Sequence, residues 1–332
     1  MNIENTPDLL NYLKQRGFIQ RDTEIQVILL TGGVSNRTVK VDFQGNSWVL
    51  KQALNKLRVQ GNWFSPPERI YYEAEAIRWF DLHLPGTCPK LVFEDRDHFI
   101  LAMEAVPHPF DNLKDILMTT VPERAYFEKA GHVLGQIHAT GLNLNNIPKI
   151  FHDARFFESL RIEPYYLECI KQLKLTEPFF GRLIDDTRKD RYTLTHGDFS
   201  PKNLLLKNHK LILLDHEVAH FGDGSFDLGF FIAHLFSKAN HIEKQREALL
   251  NGVATFFTAY QARFPEMTEL REARAVRHSI GCTLARVCGL SRLEYLNPQQ
   301  REIQISVGIK LIESPPDNIA ALINRFADIL SE

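Results

Sequence analysis

The stretch Leu194-Thr195-His196-Gly197-Asp198-Phe199-Ser200-Pro201-Lys202-Asn203-Leu204-Leu205, followed by Leu213-Leu214-Asp215-His216-Glu217, decides the fold. Between its two parts, Lys207-Asn208-His209-Lys210 has turn composition and is flanked by the apolar runs Leu204 to Leu206 and Leu211 to Leu214, which predicts a strand hairpin. An acidic loop residue, an amide five residues later, a hairpin and a second carboxylate are the parts of a phosphoryl-transfer segment. Transfer of a γ-phosphoryl group demands positioning and charge neutralisation more than covalent chemistry, so hard oxygen ligands must converge on Mg²⁺. Asn203 and Asp215 can supply those oxygens, and the hairpin holds them near each other. That leaves Asp198 to orient the acceptor hydroxyl and take its proton. His196 is expected to orient backbone rather than to shuttle protons.

Working outward, 332 residues with 44% apolar content suit two lobes with an ample core. A net charge of −2 gives no basic field for nucleic acid or membrane, and a small polar substrate fits that balance better. The four cysteines Cys88, Cys169, Cys282 and Cys288 lack C-x-x-C spacing, which argues against a zinc site and a disulfide framework. The N-terminal residues carry no signal-peptide pattern, and the longest apolar run, Phe226 to Phe236, is interrupted by Asp227 and His234. The expectation is a cytoplasmic protein with no membrane partner. Its oligomeric state is open, with a homodimer as one option.

Thr6-Pro7 ahead of Leu9, Leu10 and Leu13 predicts an opening helix, and Ile25 to Leu30, Thr38 to Phe43 and Ser47 to Leu50 predict an antiparallel meander. The turn Gly32-Gly33-Val34-Ser35-Asn36 is a candidate phosphate cradle through Gly32, Gly33, Ser35 and Asn36, because glycine tolerates positive φ; a plain hairpin turn is the alternative. Lys51 ends the third strand, where a cation can reach the α- and β-phosphates or simply stand exposed. Glu73, on a helix predicted from Arg69 to Leu82, can pair with Lys51, with Glu75 as its rival. A buried strand from Phe99 to Met103 leads into Glu104-Ala105-Val106, so Met103, Glu104 and Val106 are placed to meet an adenine edge. Pro107 and Pro109 then mark a boundary between a nucleotide-binding N-lobe, residues 1–106 with a hinge at 104–106, and a C-lobe, residues 107–332.

Beyond it the pattern turns helical. Thr120-Val121-Pro122-Glu123 reads as a capping box for a helix ending near Gly141, and further helices are expected at Ser225 to Phe236, Gln245 to Tyr260, Arg274 to Val287 and Asp317 to Leu330. Strands early and helices late make an α+β protein of two unequal lobes, with a cleft between them as the natural ligand site.

With these residues in hand, the chain resembles the aminoglycoside phosphotransferase and choline kinase group, small-molecule relatives of protein kinases, from about Val27 to Leu235. The resemblance implies a bilobal protein-kinase-like fold and ATP- and Mg²⁺-dependent transfer to a hydroxyl of a small polar metabolite: a methylthioribose-like sugar, an aminoglycoside or an amino alcohol. It implies Asp198 as base, Asn203 and Asp215 as metal ligands, and Lys51, Glu73 and Glu104 to Val106 as nucleotide-binding positions. Asp227, in Phe226-Asp227-Leu228-Gly229, is similar to a buried aspartate that braces the catalytic loop. Lys51-Gln52-Ala53-Leu54, Leu57-Arg58-Val59, Gly61, Trp63 and the pair Asp215 and Glu217 resemble methylthioribose kinases more narrowly, which implies that Glu217 assists the second metal. Phe199-Ser200-Pro201-Lys202-Asn203 departs from their usual loop.

Lys202 is a candidate to neutralise the transferred phosphoryl. Arg286 and Arg292 can bind an anionic substrate group, although salt-bridge roles are the plainer expectation. Glu163, Glu168, Glu294 and Glu302 can attract a cationic acceptor, but solvated helix faces carry such residues routinely. Two rivals stand. A catalytically silent nucleotide-binding module acting through protein interaction would lack the base, the lysine or a metal ligand, and this chain keeps them all. A protein kinase would carry a G-x-G-x-x-G loop, an H-R-D triplet and an A-P-E segment, and none is present.

Overall fold

The computed structural model describes residues 1–332 except Arg21, Gly32, Gln60 and His209. The chain divides into two compact units, Met1–Pro109 and Phe110–Glu332.

In the first unit, α1 (Thr6–Gln15) starts at Asn5, whose side chain accepts from the Asp8 amide, and Pro7 occupies its first turn, where no backbone donor is needed. Five strands follow: β1 (Gln26–Leu29), β2 (Asn36–Phe43), β3 (Asn46–Ala53), β4 (Leu91–Asp95) and β5 (Ile100–Glu104), with α2 (Arg69–His83) between β3 and β4. They pair antiparallel in the order β1-β2-β3-β5-β4. Strand β4 has no counterpart among the sequence expectations, because Leu91–Asp95 is only partly buried apart from its last residue and lacks a clean alternation.

Helices cover both faces of this sheet, and the strand period of two sorts the side chains between them. Leu50, Ile100 and Ala102 join Leu9, Tyr12 and Leu13 of α1 on one face. Leu101 and Met103 join Ile70 and Ile77 of α2 on the other. A central strand buried on both faces reads as an unbroken apolar run, as Ile100–Met103 does. Lys51 follows Leu50 and therefore turns towards α2.

The second unit is mainly helical. After the short β6 (Asp111–Asn112) come α3 (Leu113–Thr119) and α4 (Arg124–Gly141). The capping box expected at Thr120 is not formed: Thr120 closes α3, and Glu123 precedes α4 without a side-chain cap. Proline at position 122 disfavours helical backbone in the residue before it, which pushes the helix start past the motif. The short α5 (Arg155–Phe157) runs into a π-helical segment, Glu158–Leu167, that contains Pro164, then into α6 (Glu168–Gln172); α7 (Glu177–Lys189) follows. Next come β7 (Thr193–Thr195), the hairpin β8 (Leu204–Lys207) and β9 (Lys210–Leu213), and β10 (His220–Gly222). The closing helices are α8 (Ser225–His241), α9 (Arg246–Gln261), α10 (Glu269–Cys288), α11 (Pro298–Glu313) and α12 (Ile319–Ser331).

Helix α8 is buried along almost its whole length and packs on α9 and α10. At Gly229 a Cβ would lie 2.3 Å from His278 Cβ, so only glycine lets α8 and α10 approach this closely. No helix among the described residues is long and apolar enough to cross a membrane.

Candidate active site

The loop between β7 and β8 is built from its backbone outward. Gly197 sits at φ +75°, and a Cβ there would meet Val218 Cγ1 at 2.7 Å, so both conformation and space demand glycine. The buried Asp227 carboxylate accepts from the His196 amide at 2.7 Å and the Gly197 amide at 2.8 Å, tying the loop to α8. His138 Nε2 lies 3.3 Å from the same carboxylate. His196 Nδ1 accepts from the Asp198 amide at 3.1 Å, and burial holds this imidazole below its ordinary pKa; its task here is to shape backbone.

Asp198 ends up buried, its side chain 7% exposed. Arg161 reaches its Oδ1 at 2.8 Å, Lys202 lies 3.2 Å from Oδ2, and Asn203 Nδ2 donates to Oδ2 at 2.8 Å and to the Asp198 carbonyl at 2.9 Å. Burial alone would push the carboxyl pKa up, but the charges of Lys202 and Arg161 outweigh it and hold the carboxyl below its usual range. Reciprocally, the Asp198 charge raises the Lys202 pKa. Because the Asn203 amide nitrogen is spent on Asp198, its oxygen is the atom left to ligate a metal.

The hairpin does what its composition predicts: Leu204 pairs with Leu213, and the Leu214 amide donates to the Asn203 carbonyl at 2.9 Å. Just beyond it, Asp215 adopts φ +67°, a conformation that non-glycine residues hold at a cost and that clusters at functional sites. Glu217 is buried. Asn203, Asp215 and Glu217 offer hard oxygen donors of the kind that Mg²⁺ prefers.

In the first unit, Lys51 Nζ pairs with Glu73 Oε1 at 2.5 Å, with Glu73 fully buried. The rival Glu75 pairs with Arg78 instead, at 3.1 Å. Ser35 and Asn36 are buried at the start of β2; the Ser35 carbonyl accepts from Arg69, whose guanidinium also binds the carbonyls of Ser65, Pro66 and Leu54. Gly32 lies outside the described residues. Gly33 has no positive φ, and a Cβ there would meet nothing within 4 Å, so the conformational reason expected for glycine does not hold at that position. Met103 is buried in β5, the Glu104 amide donates to the Lys90 carbonyl at 2.9 Å, and Val106 is half-buried beyond the strand.

Sequence reasoning missed Arg161. It arises from the π-helical segment, where its Nε donates to the Gly197 carbonyl at 2.6 Å and its Nη1 to the Leu160 carbonyl at 2.7 Å. The one available signal was Pro164 inside a helical stretch, since π-helical turns often mark functional sites. Arg286 is anchored through Nη1 on Tyr165 Oη at 3.0 Å and on Ser291 Oγ at 2.7 Å. Arg292 donates to the Gly289 carbonyl at 3.1 Å. Among the acids considered for a cationic acceptor, Glu294 is paired with Lys114 at 2.6 Å and Glu168 with Lys171 at 3.2 Å.

A two-faced antiparallel sheet in one unit, and in the other a helical body carrying an aspartate loop ahead of a carboxylate hairpin, define a protein-kinase-like phosphotransferase. Residues 26–272 match the sequence model of the phosphotransferase enzyme family, and the chain belongs to that family of small-molecule kinases. The methylthioribose kinase of Bacillus mycoides (strain KBAB4) is 22% identical over 281 residues, covering 73% of this chain and 68% of that protein. The methylthioribose kinase of Geobacillus thermodenitrificans (strain NG80-2) is 22% identical over 249 residues, and the match spans 66% of this chain and 62% of that protein, a little under two thirds. Among solved structures, an amicoumacin kinase in complex with AMP-PNP, Ca²⁺ and Ami aligns with a TM-score of 0.63 at 16% identity, covering 97% of this chain and all of that one. A choline/ethanolamine kinase family protein from Mesorhizobium loti aligns with a TM-score of 0.55 at 14% identity, covering 98% of this chain and 94% of the other. At these identities the structural likeness speaks for the fold alone.

Proposed function

We propose that this chain transfers the γ-phosphoryl group of ATP, with Mg²⁺, to a hydroxyl of a small polar metabolite. The observation that carries this reading is Asp198: a buried carboxylate kept ionised by two cations and oriented by the asparagine five residues on. Asp198 takes the acceptor's hydroxyl proton as the O–P bond forms; the bond from Pγ to the β,γ-bridging oxygen breaks, and its electron pair leaves with ADP. Lys202, half-exposed beside Asp198, would meet the charge of the transferred group. Asn203, Asp215 and Glu217 would hold the metal, which supplies charge neutralisation on the phosphates when bound. Lys51, fixed by Glu73, would bind the α- and β-phosphates, with Ser35 and Asn36 near the phosphate loop and Met103, Glu104 and Val106 at the adenine. Residues 1–106 thus serve the nucleotide, and 107–332 carry the catalysis and acceptor binding. A methylthioribose-like sugar is the acceptor that the relatives' names suggest.

The test is a coupled ADP-release screen of hydroxylated metabolites, with Asp198→Asn as the comparison. The variant is expected to lose about 1,000-fold in turnover while binding nucleotide as the parent does, because it removes the base and spares the metal ligands. Normal turnover by the variant would exclude Asp198 as base.

A further inference from the structure

A second cluster in the same unit carries more positive charge than the one acid acting on it, Glu294, balances. Lys238, on α8, is 1% exposed and has no ion-pair partner among the described residues. Its ammonium lies 5.4 Å from the Tyr295 ring centroid, a contact that offsets only part of the cost of burying a cation. One turn earlier, His234 is 6% exposed with Nε2 unbonded among the described residues. Arg286, on α10, is held rigid through Nη1, while its Nε and the Tyr295 hydroxyl have no hydrogen-bond partner among the described residues. The charges of Arg286, Lys238, Lys202 and Lys114 all bear on His234, which burial and these four cations hold neutral. The acid whose charge acts on Lys238, Glu294, is itself paired with Lys114 at 2.6 Å.

This cluster adjoins the proposed base. Arg286 bonds Tyr165, the Tyr165 ring faces Arg161 at 5.6 Å, and Arg161 binds Asp198. Lys202 belongs to both groups. Buried donors that are preoriented, unsatisfied and surrounded by positive charge are what an anion needs in order to be desolvated.

We propose that the acceptor carries an anionic group, a carboxylate or a phosphate ester, received by Lys238, His234 and Arg286 while its hydroxyl lies at Asp198. This rests on the phosphotransfer reading above but replaces the neutral methylthioribose-like sugar suggested by the relatives' names with a hydroxy acid or a sugar phosphate, and it runs equally against a cationic acceptor.

The experiment compares sugar acids, sugar monophosphates, the parent neutral sugars and amino sugars as acceptors by ADP release, and as ligands by calorimetry. It uses the full chain, Lys238→Met and the charge-conserving Lys238→Arg. Expected are a kcat/KM at least about tenfold higher for one anionic class than for its neutral parent, and in Lys238→Met a KM for that acceptor raised about tenfold with the KM for ATP unchanged, partly restored in Lys238→Arg. The Tm of Lys238→Met should rise, because an unpaired buried charge has been removed. Whether acids or phosphates are preferred tells the two anions apart. Preference for neutral or amino sugars, binding of no anionic compound, or a Lys238→Met variant with lower Tm and unaltered acceptor KM would each overturn the proposal. Anion binding that Lys238→Met weakens, with no ADP released from any acceptor, would uphold the anion site and remove the phosphotransfer reading instead.

Discussion

The loop around Asp198 and the cluster around Lys238 lie in the same unit, joined through Arg161, Tyr165 and Arg286, and they handle charge in opposite ways. At Asp198 one buried carboxylate is met by a guanidinium, an ammonium and an amide, so the site is satisfied as it stands. At Lys238 the cations face one another and an unbonded imidazole. The contrast separates two tasks. Chemistry shared by a family is served by groups that hold each other in place, whereas recognition of one acceptor is served by groups that stay unsatisfied until it arrives.

Arg161→Met is the sharpest way to break this contrast. It removes one cation from a buried carboxylate and the donor that fixes the Gly197 carbonyl, so turnover should fall about 100-fold and stability by about 3 kcal/mol. Lys238→Met, which likewise removes one buried cation but in the other region, should move stability upward. Thermal melts of the two variants side by side decide it: a comparable loss in both would mean that the two regions do not differ in charge balance.

Lys202→Ala probes the residue the regions share. Lys202 is 47% exposed and 3.2 Å from Asp198, so its loss should leave Tm nearly unchanged, since solvent screens such pairs. Turnover is expected to drop about tenfold with nucleotide affinity retained, as for a group that meets charge developing on the transferred phosphoryl. Steady-state kinetics with unaltered turnover would remove Lys202 from the reaction.

What was legible in the sequence divides along the same line. His196 to Asn203, the hairpin and Asp215 are neighbours in the chain, so their spacing reports their geometry, and glycine at 197 is dictated by local backbone. The sequence offers Glu73 as the partner of Lys51 with Glu75 as its rival, because one helical turn carries both and only the packing of α2 on the sheet selects between them. Arg161, His234, Lys238 and Arg286 come from three elements whose proximity depends on tertiary packing. In the sequence His234 only interrupts an apolar run, and Lys238, just past the run, carries no motif. A charged residue on a helix buried on all sides was the available clue, and it becomes a clue only once α8 is known to be enclosed by α9 and α10.

The finest test concerns pH. Burial lowers the Lys238 pKa to about 7, assisted by Lys114 from α3 and Arg286 from α10 and opposed by Glu294 after α10. His234 on the same helix is held neutral, Tyr295 presents its ring, α11 meets this stretch of α8 with Gln300 and Gln304 against Asn240, and α9 with Phe256 on Phe231. Below pH 7 the folded and unfolded chains both keep the Lys238 proton, and the cost of its buried charge is fully present. Between pH 7 and the unfolded value of about 10.4 only the unfolded chain keeps that proton, so this residue's contribution to stability rises with pH. Anion binding needs the charged form and must run the other way: the KM for an anionic acceptor should rise about tenfold per pH unit well above pH 7. In Lys238→Met both slopes should be lost, while the acid limb set by Asp198, below the usual carboxylate range, stays where it was. A parent enzyme whose acceptor KM is flat from about pH 6 to pH 9 would show that Lys238 meets no anion, and the contrast between a satisfied and an expectant region would then rest on packing alone.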